Sequence, residues 1–472
     1  MRIYNSLSRQ IEEFVPLKPP KVGMYTCGPT IYDRKQIGNF RTYTLSDILH
    51  RILKYGGYGV TYIMNFTDVG HLSGDNAGDA DTGEDRMVKA AKRERKTAWE
   101  VASMYEQMFL EDFDKLNLTR PDKFVKATEH IPEQIELVKK LEDKGLAYKI
   151  SDGIYFDTVA YEQKTKFKYG ELSDIDQIRE GTRIEPNPGK KNPRDFALWK
   201  FSPTGEKRDM EWDSPWGKGF PGWHIECSAL SMKYLGEQFD LHVGGQDIKS
   251  THHPNEIAQS QGVTGKQFVK YWVHGGLLMV DGERMATSLG NNYKIPDIVA
   301  KGFHPLALRY LYLTAHYRGP LNFTWSSLAA AQNAYDKLVG FMRQARSATV
   351  SRTSLSKEKL KKIDDYHRRF WEAASNDLNI PQGLAVVWEI IKSNVPDRDK
   401  LEQLLDFDQV LGLDLASVGE VVVPEEVKQL VAQREALRKS GEFVSADEVR
   451  LQVEHQGFII KDTAHGPRTS KK

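Results

Sequence analysis

The chain is poor in cysteine, with only Cys27 and Cys227 among its 472 residues. Two thiols so far apart in the sequence cannot form a disulfide framework, so the fold must rest on hydrophobic cores. In a reducing compartment, such cysteines serve as metal ligands, reactive thiols or small buried hydrophobic residues. Composition alone leaves these three alternatives open.

Long apolar runs and an excess of one charge are also missing. No apolar run approaches the roughly 18 residues that a membrane-spanning helix requires, and the formal net charge is only +1. Residues 1–16 include acidic side chains and no apolar core, which is typical of neither a signal peptide nor a transit peptide. We therefore expect a cytoplasmic protein without a membrane segment. The charge balance neither favours nor excludes a nucleic-acid partner, because a basic groove can be local.

The first seventy residues have an α/β pattern. A β-prone run at 21–26 precedes a turn, helix-spaced apolar residues at 38–55 and a second β-prone run at 59–66. Similar alternation returns over residues 223–280, where 271–280 is predicted to be one strand. The pattern predicts a parallel sheet in which a nucleotide binds at the first strand-turn-helix connection.

The remaining segments predict additional units, because a chain of this length exceeds a single hydrophobic core. Residues 84–118 indicate one long charged helix, and residues 120–200 a mixed insertion in the first domain. Helical periodicity dominates from residue 304. We predict domains at 1–303, 304–420 and 421–472, and we expect the C-terminal tail to fray.

Four residues could form a metal site. His252 and Glu256 are four positions apart in a helical pattern, so their side chains project from the same face. Cys27 follows the first strand of the predicted sheet, and Cys227 lies in a predicted helix of the same domain. Two thiolates, an imidazole and a carboxylate are acceptable zinc ligands. Buried structural cysteines and a satisfied surface histidine remain the alternative.

Several motifs, taken together, resemble the cysteine-specific members of the class I aminoacyl-tRNA synthetases. Residues 27–33 (CGPTIYD) with 36–39 (QIGN) are similar to the first signature of that class. The other matching segments are 221–229 (PGWHIECSA), 244–247 (GGQD), 252–260 (HHPNEIAQS), and 446–447 (AD) with 462–463 (DT). Five motifs in the same order are far more specific than any single one, and the resemblance covers roughly residues 1–465.

The resemblance implies a Rossmann-type catalytic domain with an inserted connective region, followed by an α-helical bundle and a small C-terminal anticodon-binding unit. It also implies a two-step ligase that activates L-cysteine with ATP and Mg²⁺ and transfers the cysteinyl group to tRNA(Cys). One zinc ion per subunit would recognise the substrate thiol. The expected protein is a monomer.

Site residues follow from the resemblance, position by position. The implied zinc ligands are Cys27, Cys227, His252 and Glu256. The implied amino-acid pocket consists of Gly28, Thr67, Trp223 and Asp247. Catalytic positions in the two class signatures are Gln36, Gly38, Asn39, Arg284, Thr287 and Ser288, of which Gly38 and Thr287 would also bind ATP.

Two positions depart from the pattern of the family. Gln36 stands where a histidine is common, as does Asn39, although the family tolerates asparagine at the latter position. Thr287 replaces a lysine that supplies positive charge to the departing pyrophosphate. Arg34, Lys35 and Lys249 are possible substitute cations. The departures leave two alternatives open. One is a degenerate homologue that binds zinc, cysteine or tRNA without efficient adenylation, and the other is a cysteine ligase with a small amine acceptor.

Overall fold

The computed structural model describes most of the chain. The described residues are 1–70, 72, 84–173, 187, 189–203, 205, 208–286, 289–347, 354–419, 423–463 and 466–471. Two residues of the predicted site, Thr287 and Ser288, lie outside these ranges. Within the ranges, no helix combines the length and the apolar character needed to cross a membrane.

The N-terminal region contains the strand-helix-strand unit that the sequence predicts. Its elements are β1 (Arg2–Asn5), β2 (Gln10–Glu13), β3 (Lys21–Thr26), α1 (Ile37–Tyr55), β4 (Gly59–Phe66), α2 (Arg86–Glu94), α3 (Ala98–Lys115) and β5 (Lys123–Lys126). Strands β3 and β4 pair in parallel, with α1 as the crossover between them. The predicted opening of a parallel sheet is thus confirmed.

The prediction of one helix over residues 84–118 was wrong, because α2 ends before α3 begins. Arg95 has a left-handed backbone conformation, with φ of 54°, and closes α2. Thr97 then caps α3: its hydroxyl accepts from the Glu100 amide at 3.2 Å, and its own amide donates to the Glu100 carboxylate at 2.8 Å. A reciprocal cap of this kind starts a new helix, and the charge pattern does not reveal it.

The inserted region forms an antiparallel layer. Its elements are α4 (Ile131–Asp143), β6 (Ala147–Ile150), β7 (Gly153–Phe156), α5 (Thr158–Lys164), β8 (Phe196–Phe201) and β9 (Gly219–Pro221). The strands form a sheet in the order β6-β7-β8-β9, and Phe156, Leu198 and Trp199 belong to its separate buried core. The insertion was predicted at residues 120–200. Its sheet extends past residue 200 to β9, whereas β5, which lies within the predicted range, belongs to the main sheet. The domain boundaries themselves stay predictions.

The chain then returns to the main sheet. The next elements are α6 (Trp223–Leu235), β10 (Phe239–Gly245), α7 (His253–Thr264), β11 (Val269–Gly275), β12 (Leu278–Val280), β13 (Glu283–Arg284) and α8 (Ile295–Ala300). The main sheet has the order β11-β10-β3-β4-β5, and every neighbouring pair is parallel. This arrangement confirms the predicted α/β fold class.

The single strand predicted at 271–280 was wrong, because the chain leaves the main sheet after Gly275. The Gly276 amide donates to the Tyr317 carbonyl at 2.7 Å, and β12 pairs with β13 in another sheet. A Cβ atom at Gly276 would lie 2.4 Å from the Gly319 carbonyl oxygen. Only glycine permits this close passage of two backbone segments.

The C-terminal half is mainly helical, as the periodicity predicts. Its elements are α9 (Pro305–Leu313), β14 (Leu321–Phe323), α10 (Trp325–Ser347), α11 (Lys357–Ser375), α12 (Ile380–Lys392), α13 (Asp397–Leu411), α14 (Glu425–Ser440), α15 (Phe443–His455), β15 (Phe458–Thr463) and β16 (Gly466–Lys471). We expected the tail to fray, but β16 pairs with β15 along its whole length.

A buried ion pair joins the helical half to the main sheet. The Arg309 guanidinium on α9 donates to the Asp47 carboxylate on α1 at 2.5 Å and to the Leu411 carbonyl at 2.8 Å. Burial alone would raise the pKa of Asp47, but Arg309, Arg51 and the Thr119 amide lower it to about 2. The carboxylate is therefore ionised, and it fixes α1 against α9.

Replacing Asp47 with asparagine should destabilise the protein strongly, because the charge of Arg309 would stay buried without a counter-ion. We expect a loss of about 3–5 kcal/mol in the free energy of unfolding, measured by urea denaturation. The folded-state pKa of Asp47 lies below its unfolded value of about 3.9, so its stabilisation is present above about pH 4 and is lost as the pH falls towards 2.

The matched control is Glu372→Gln, which removes an exposed ion pair that Arg368 makes within α11 at 2.8 Å. An exposed pair contributes less than about 1 kcal/mol. Equal shifts of the urea midpoint in both variants would contradict the structural role of the buried pair.

Candidate active site

The turn after β3 is held tightly against the end of β4. The Gly28 amide donates to the side-chain oxygen of Asn65 at 2.8 Å, and a Cβ atom at Gly28 would lie 1.6 Å from the Asn65 carbonyl oxygen. Thr67 exchanges backbone hydrogen bonds with Pro29 and Ile31, each 3.1 Å long. The fold therefore requires glycine directly after Cys27. This turn fixes the position of the Cys27 thiol.

A cavity of about 180 Å³ lies at the carboxyl ends of β3, β4 and β10. We call it the first cavity. Its lining includes Cys27, Gly28, Lys35, Asn39, Thr42, Thr67, Trp223, Cys227, Asp247 and His252. The structure thus brings together the four predicted pocket residues and three of the four predicted zinc ligands. Their roles stay predictions.

The four predicted zinc ligands converge at one side of the first cavity. The donor atoms of Cys27, Cys227, His252 and Glu256 all lie within 4.8 Å of one another. The two Sγ atoms are 3.8 Å apart. Tetrahedral zinc with Zn–S bonds of about 2.3 Å places two sulfur ligands about 3.8 Å apart, so the thiols fit such an ion. The donor types are also those that zinc prefers.

A second set of donors overlaps the first. Cys27, His242, His253 and Glu256 also lie within 4.8 Å of one another. However, His242 Nε2 is 2.8 Å from Glu256 Oε2, and His253 Nδ1 is 2.7 Å from His274 Nε2. Neither histidine lines the first cavity. His242 is therefore placed to orient Glu256, and His253, whose Nε2 lies 3.5 Å from Cys27 Sγ, is placed to orient that thiol, rather than to bind an ion that a substrate in the first cavity can reach.

The electrostatics of the cluster favour ionisation of Glu256 and Cys227. Burial would raise the pKa of Glu256, but His242 and His252 lower it to about 2. Burial raises the pKa of the Cys27 thiol well above its ordinary value. Burial acts in the same direction on Cys227, yet hydrogen bonding from Cys27 and the charge of His252 lower its pKa to about 6. Cys227 is therefore the thiol that ionises first, as a metal ligand must.

Trp223 supports the cluster from the cavity side. Its ring stacks on the His252 imidazole, with the ring centroids 4.4 Å apart and the ring planes 30° from parallel. The Nδ1 atoms of His252 and His224 are 2.7 Å apart, which leaves His252 Nε2 facing Glu256 at 3.0 Å. The orientation of the predicted ligand His252 is thus fixed on three sides.

A second cavity of about 160 Å³ adjoins the first. Gln36, Gly38, Asn39, Arg284 and Met285 are among its lining residues. The two cavities share Asn39, Thr42, Gly245 and Asp247. The second cavity borders the N-terminus of α1, where backbone N–H groups and the helix dipole favour an anion. The predicted nucleotide residues within the described ranges therefore meet here.

Other residues of the site were missed in the sequence. His242 and His274 lie on the neighbouring strands β10 and β11, and Thr42 and Asn65 border the first cavity. A signal was present, since each histidine shortly precedes a glycine pair at the end of an apolar strand, in HVGG and HGG. Carboxyl ends of parallel strands meet at one edge, so these histidines could have been placed beside Cys27.

The fold is similar to that of a solved methionyl-tRNA synthetase. The methionyl-tRNA synthetase of Mycobacterium tuberculosis, solved in complex with methionyl-adenylate, superimposes with a TM-score of 0.60 over 84% of this chain and 93% of that chain. The two sequences are 13% identical, so this similarity concerns the fold alone.

The sequence comparisons define the family. The family described as "tRNA synthetases class I (C) catalytic domain" matches residues 13–333. Cysteine–tRNA ligase 1 of Burkholderia lata is 42% identical over 99% of this chain and 96% of that protein. The cysteine–tRNA ligase of Treponema denticola is 39% identical over 100% of this chain and 99% of that protein. The chain belongs to the class I (C) tRNA synthetase family.

Metal analysis of purified variants distinguishes the two donor sets. We expect Cys227→Ser and His252→Gln to lose most of the bound zinc, because each removes a ligand of the first set. His253→Gln should keep about one zinc ion per chain, because it changes only the second set. His253 is the matched control, since both histidines are buried and adjacent.

Zinc content is measured by mass spectrometry, with circular dichroism to verify that each variant is folded. Zinc lost from His253→Gln but retained by Cys227→Ser and His252→Gln would contradict the first set.

Proposed function

We propose that this chain is a cysteine–tRNA ligase. It would join L-cysteine to ATP, with Mg²⁺, and then transfer the cysteinyl group from the adenylate to tRNA(Cys). The observation that carries the proposal is the meeting of two cavities at one sheet edge, one beside two thiols and the other beside the N-terminus of α1. Relatives of 37–42% identity that bear this name over nearly the whole chain support it.

One zinc ion per subunit would be held by Cys27, Cys227, His252 and Glu256. When bound, zinc supplies an open coordination position that the thiolate of L-cysteine fills, whereas the hydroxyl of serine stays protonated near neutral pH. A site built around one specific bond can reject an analogue that lacks it by roughly 10⁴-fold. Such discrimination would need no separate editing site.

The other pocket residues would orient the amino acid. Asp247 borders both cavities, so its carboxylate can receive the substrate ammonium while the substrate carboxylate faces the nucleotide. Trp223 keeps the His252 ring in place by stacking, and Thr67 and Gly28 also line the cavity. Placing the two reactants in contact is a large part of catalysis in a reaction without a protein nucleophile.

The nucleotide would occupy the second cavity. Gly38 leaves room at the first turn of α1, Asn39 and Gln36 offer neutral hydrogen-bond donors, and Arg284 brings one positive charge. Thr287 and Ser288 complete the proposed set as members of the second class signature. Catalysis of adenylation would then be electrostatic, by stabilising the charge that develops on the phosphates.

The remaining partners are proposed from the resemblance. The helical half and the unit that contains α14 and α15 would bind the tRNA stem and anticodon through phosphate contacts and exposed bases. The monomeric state and the cytoplasmic location rest on the same resemblance and on composition, and they stay predictions.

A degenerate homologue is the second candidate, because Gln36 and Thr287 both replace residues that can carry positive charge. Losing one charge-stabilising donor typically lowers the rate by about 10² to 10³. The converging zinc ligands and pocket residues argue against a degenerate homologue. The long helical half argues against a ligase for a small amine, because a small acceptor needs no tRNA-binding domain.

The proposal is tested by the exchange of labelled pyrophosphate into ATP, without tRNA, in the zinc-loaded protein. We expect exchange with L-cysteine and at least about 10⁴-fold less with L-serine, because only the thiolate suits the zinc position. No exchange with either amino acid would favour the degenerate homologue.

An Asp247→Asn variant tests the amino-acid pocket in the same assay. Removing the charge that faces the substrate ammonium should raise the KM for cysteine about tenfold or more, with a smaller effect on the KM for ATP. An unchanged KM for cysteine would contradict the role of Asp247. Charging of tRNA(Cys) then separates a tRNA ligase from a ligase for a small amine.

A further inference from the structure

A lysine that belongs to neither class signature lines the first cavity, next in sequence to a residue that lines the second. Lys35 directly precedes Gln36, the N-cap of α1, and it lines the first cavity together with Cys27 and Trp223. Asn39, one turn into α1, borders both cavities. Lys35 is therefore on the amino-acid side of the site, at the positive end of a 19-residue helix.

Apart from Arg284, which lines the second cavity, three other candidate cations have partners or lie outside both cavities. Arg34 Nε and Nη2 donate to the Asp112 carboxylate, at 2.8 and 2.7 Å. Lys294 donates to the Asp33 carboxylate at 3.1 Å. Lys249 lines neither cavity. Of the three substitute cations that the sequence suggests, only Lys35 lines either cavity.

The surroundings of Lys35 make it receptive to an anion. Its Nζ lies over the Tyr32 ring, 4.9 Å from the centroid, and it forms no ion pair with any residue that the structure describes. Burial lowers the pKa of Lys35 to about 8 against the opposing effect of Asp33, and Arg86 and Lys294 each add a smaller lowering effect. An ammonium so placed gains more from a phosphate than a fully hydrated one does.

We propose that Lys35 binds the α-phosphate of ATP and of the adenylate and is a catalytic residue of the first step. The inference rests on the proposed function. A carboxylate oxygen of cysteine bonds to the α-phosphorus, the bond between that phosphorus and the bridging oxygen breaks, and pyrophosphate leaves with the electron pair. Lys35 neither gives nor takes a proton, and its charge stabilises the negative charge on the non-bridging oxygens.

The position of Lys35 favours contact with the α-phosphate of ATP over contact with the β- and γ-phosphates. The α-phosphorus joins the carboxylate of the amino acid to the nucleoside, so it must lie where the two cavities meet. Lys35 borders the cavity of the zinc ligands but not the cavity of Arg284 and Met285. Lys35 thereby supplies a positive charge next in sequence to Gln36, which is neutral at a position where histidine is common in the family.

Binding of two nucleotides tests the inference without any need for activity. AMP carries the α-phosphate and adenosine lacks it, so we compare their Kd values for the zinc-loaded wild type and Lys35→Met. We expect Lys35→Met to weaken AMP about tenfold or more and to leave adenosine unchanged, because only AMP offers the charged acceptor. Equal AMP affinity in both proteins, or a parallel loss for adenosine, would overturn the assignment.

Kinetics give an independent readout. In the pyrophosphate exchange assay, Lys35→Met should lower kcat about 10²-fold while the KM for cysteine changes little, and Lys35→Arg should recover part of the rate. Lys54→Met is the control, since Lys54 is exposed at the far end of α1. A Lys35→Met enzyme with wild-type kcat would refute the catalytic role. A wild type without exchange would refute the proposed function, whereas the AMP comparison would still decide on Lys35.

Discussion

The site depends on the need to neutralise one buried carboxylate. Glu256 has no exposed surface, so its charge requires partners within hydrogen-bond distance. His242 on β10 and His252 at the start of α7 fill that requirement, at 2.8 and 3.0 Å. This pairing fixes β10 against α7, and with them the ends of the sheet at which Cys27 and Cys227 meet. The same contacts hold Glu256 ionised, as a metal ligand must be.

Backbone constraints then determine what can occupy this edge of the sheet. Gly28 brings β3 and β4 so close that any side chain there would collide with Asn65. Gly276 lets the chain leave β11 and bring Arg284 and Met285 over the second cavity. The two cavities consequently adjoin, with Asn39 and Asp247 bordering both. A thiol-selective pocket and an anion-binding helix end become parts of one site through these close approaches.

Periodicity and motifs in the sequence were sufficient for much of this account. The runs at 21–26, 38–55 and 59–66 have the periods of strand and helix, and the spacing of His252 and Glu256 places both on one helix face. The predictions that failed depended on a local helix cap or on the pairing of strands between sheets. The Thr97 cap divides a continuous charge pattern, and Gly276 ends a continuous apolar run. The role of His253 was hidden because the contact of its ring with His274, between α7 and β11, leaves no spacing in the sequence.

Zinc K-edge X-ray absorption of the zinc-loaded protein tests the central claim, that the metal site selects the substrate by its sulfur. Because Cys27 and Cys227 are the only cysteines, the account predicts two sulfur neighbours without substrate and three with L-cysteine. L-Serine should leave the number at two. A count that stays at two with saturating L-cysteine, or that rises equally with L-serine, would contradict the account.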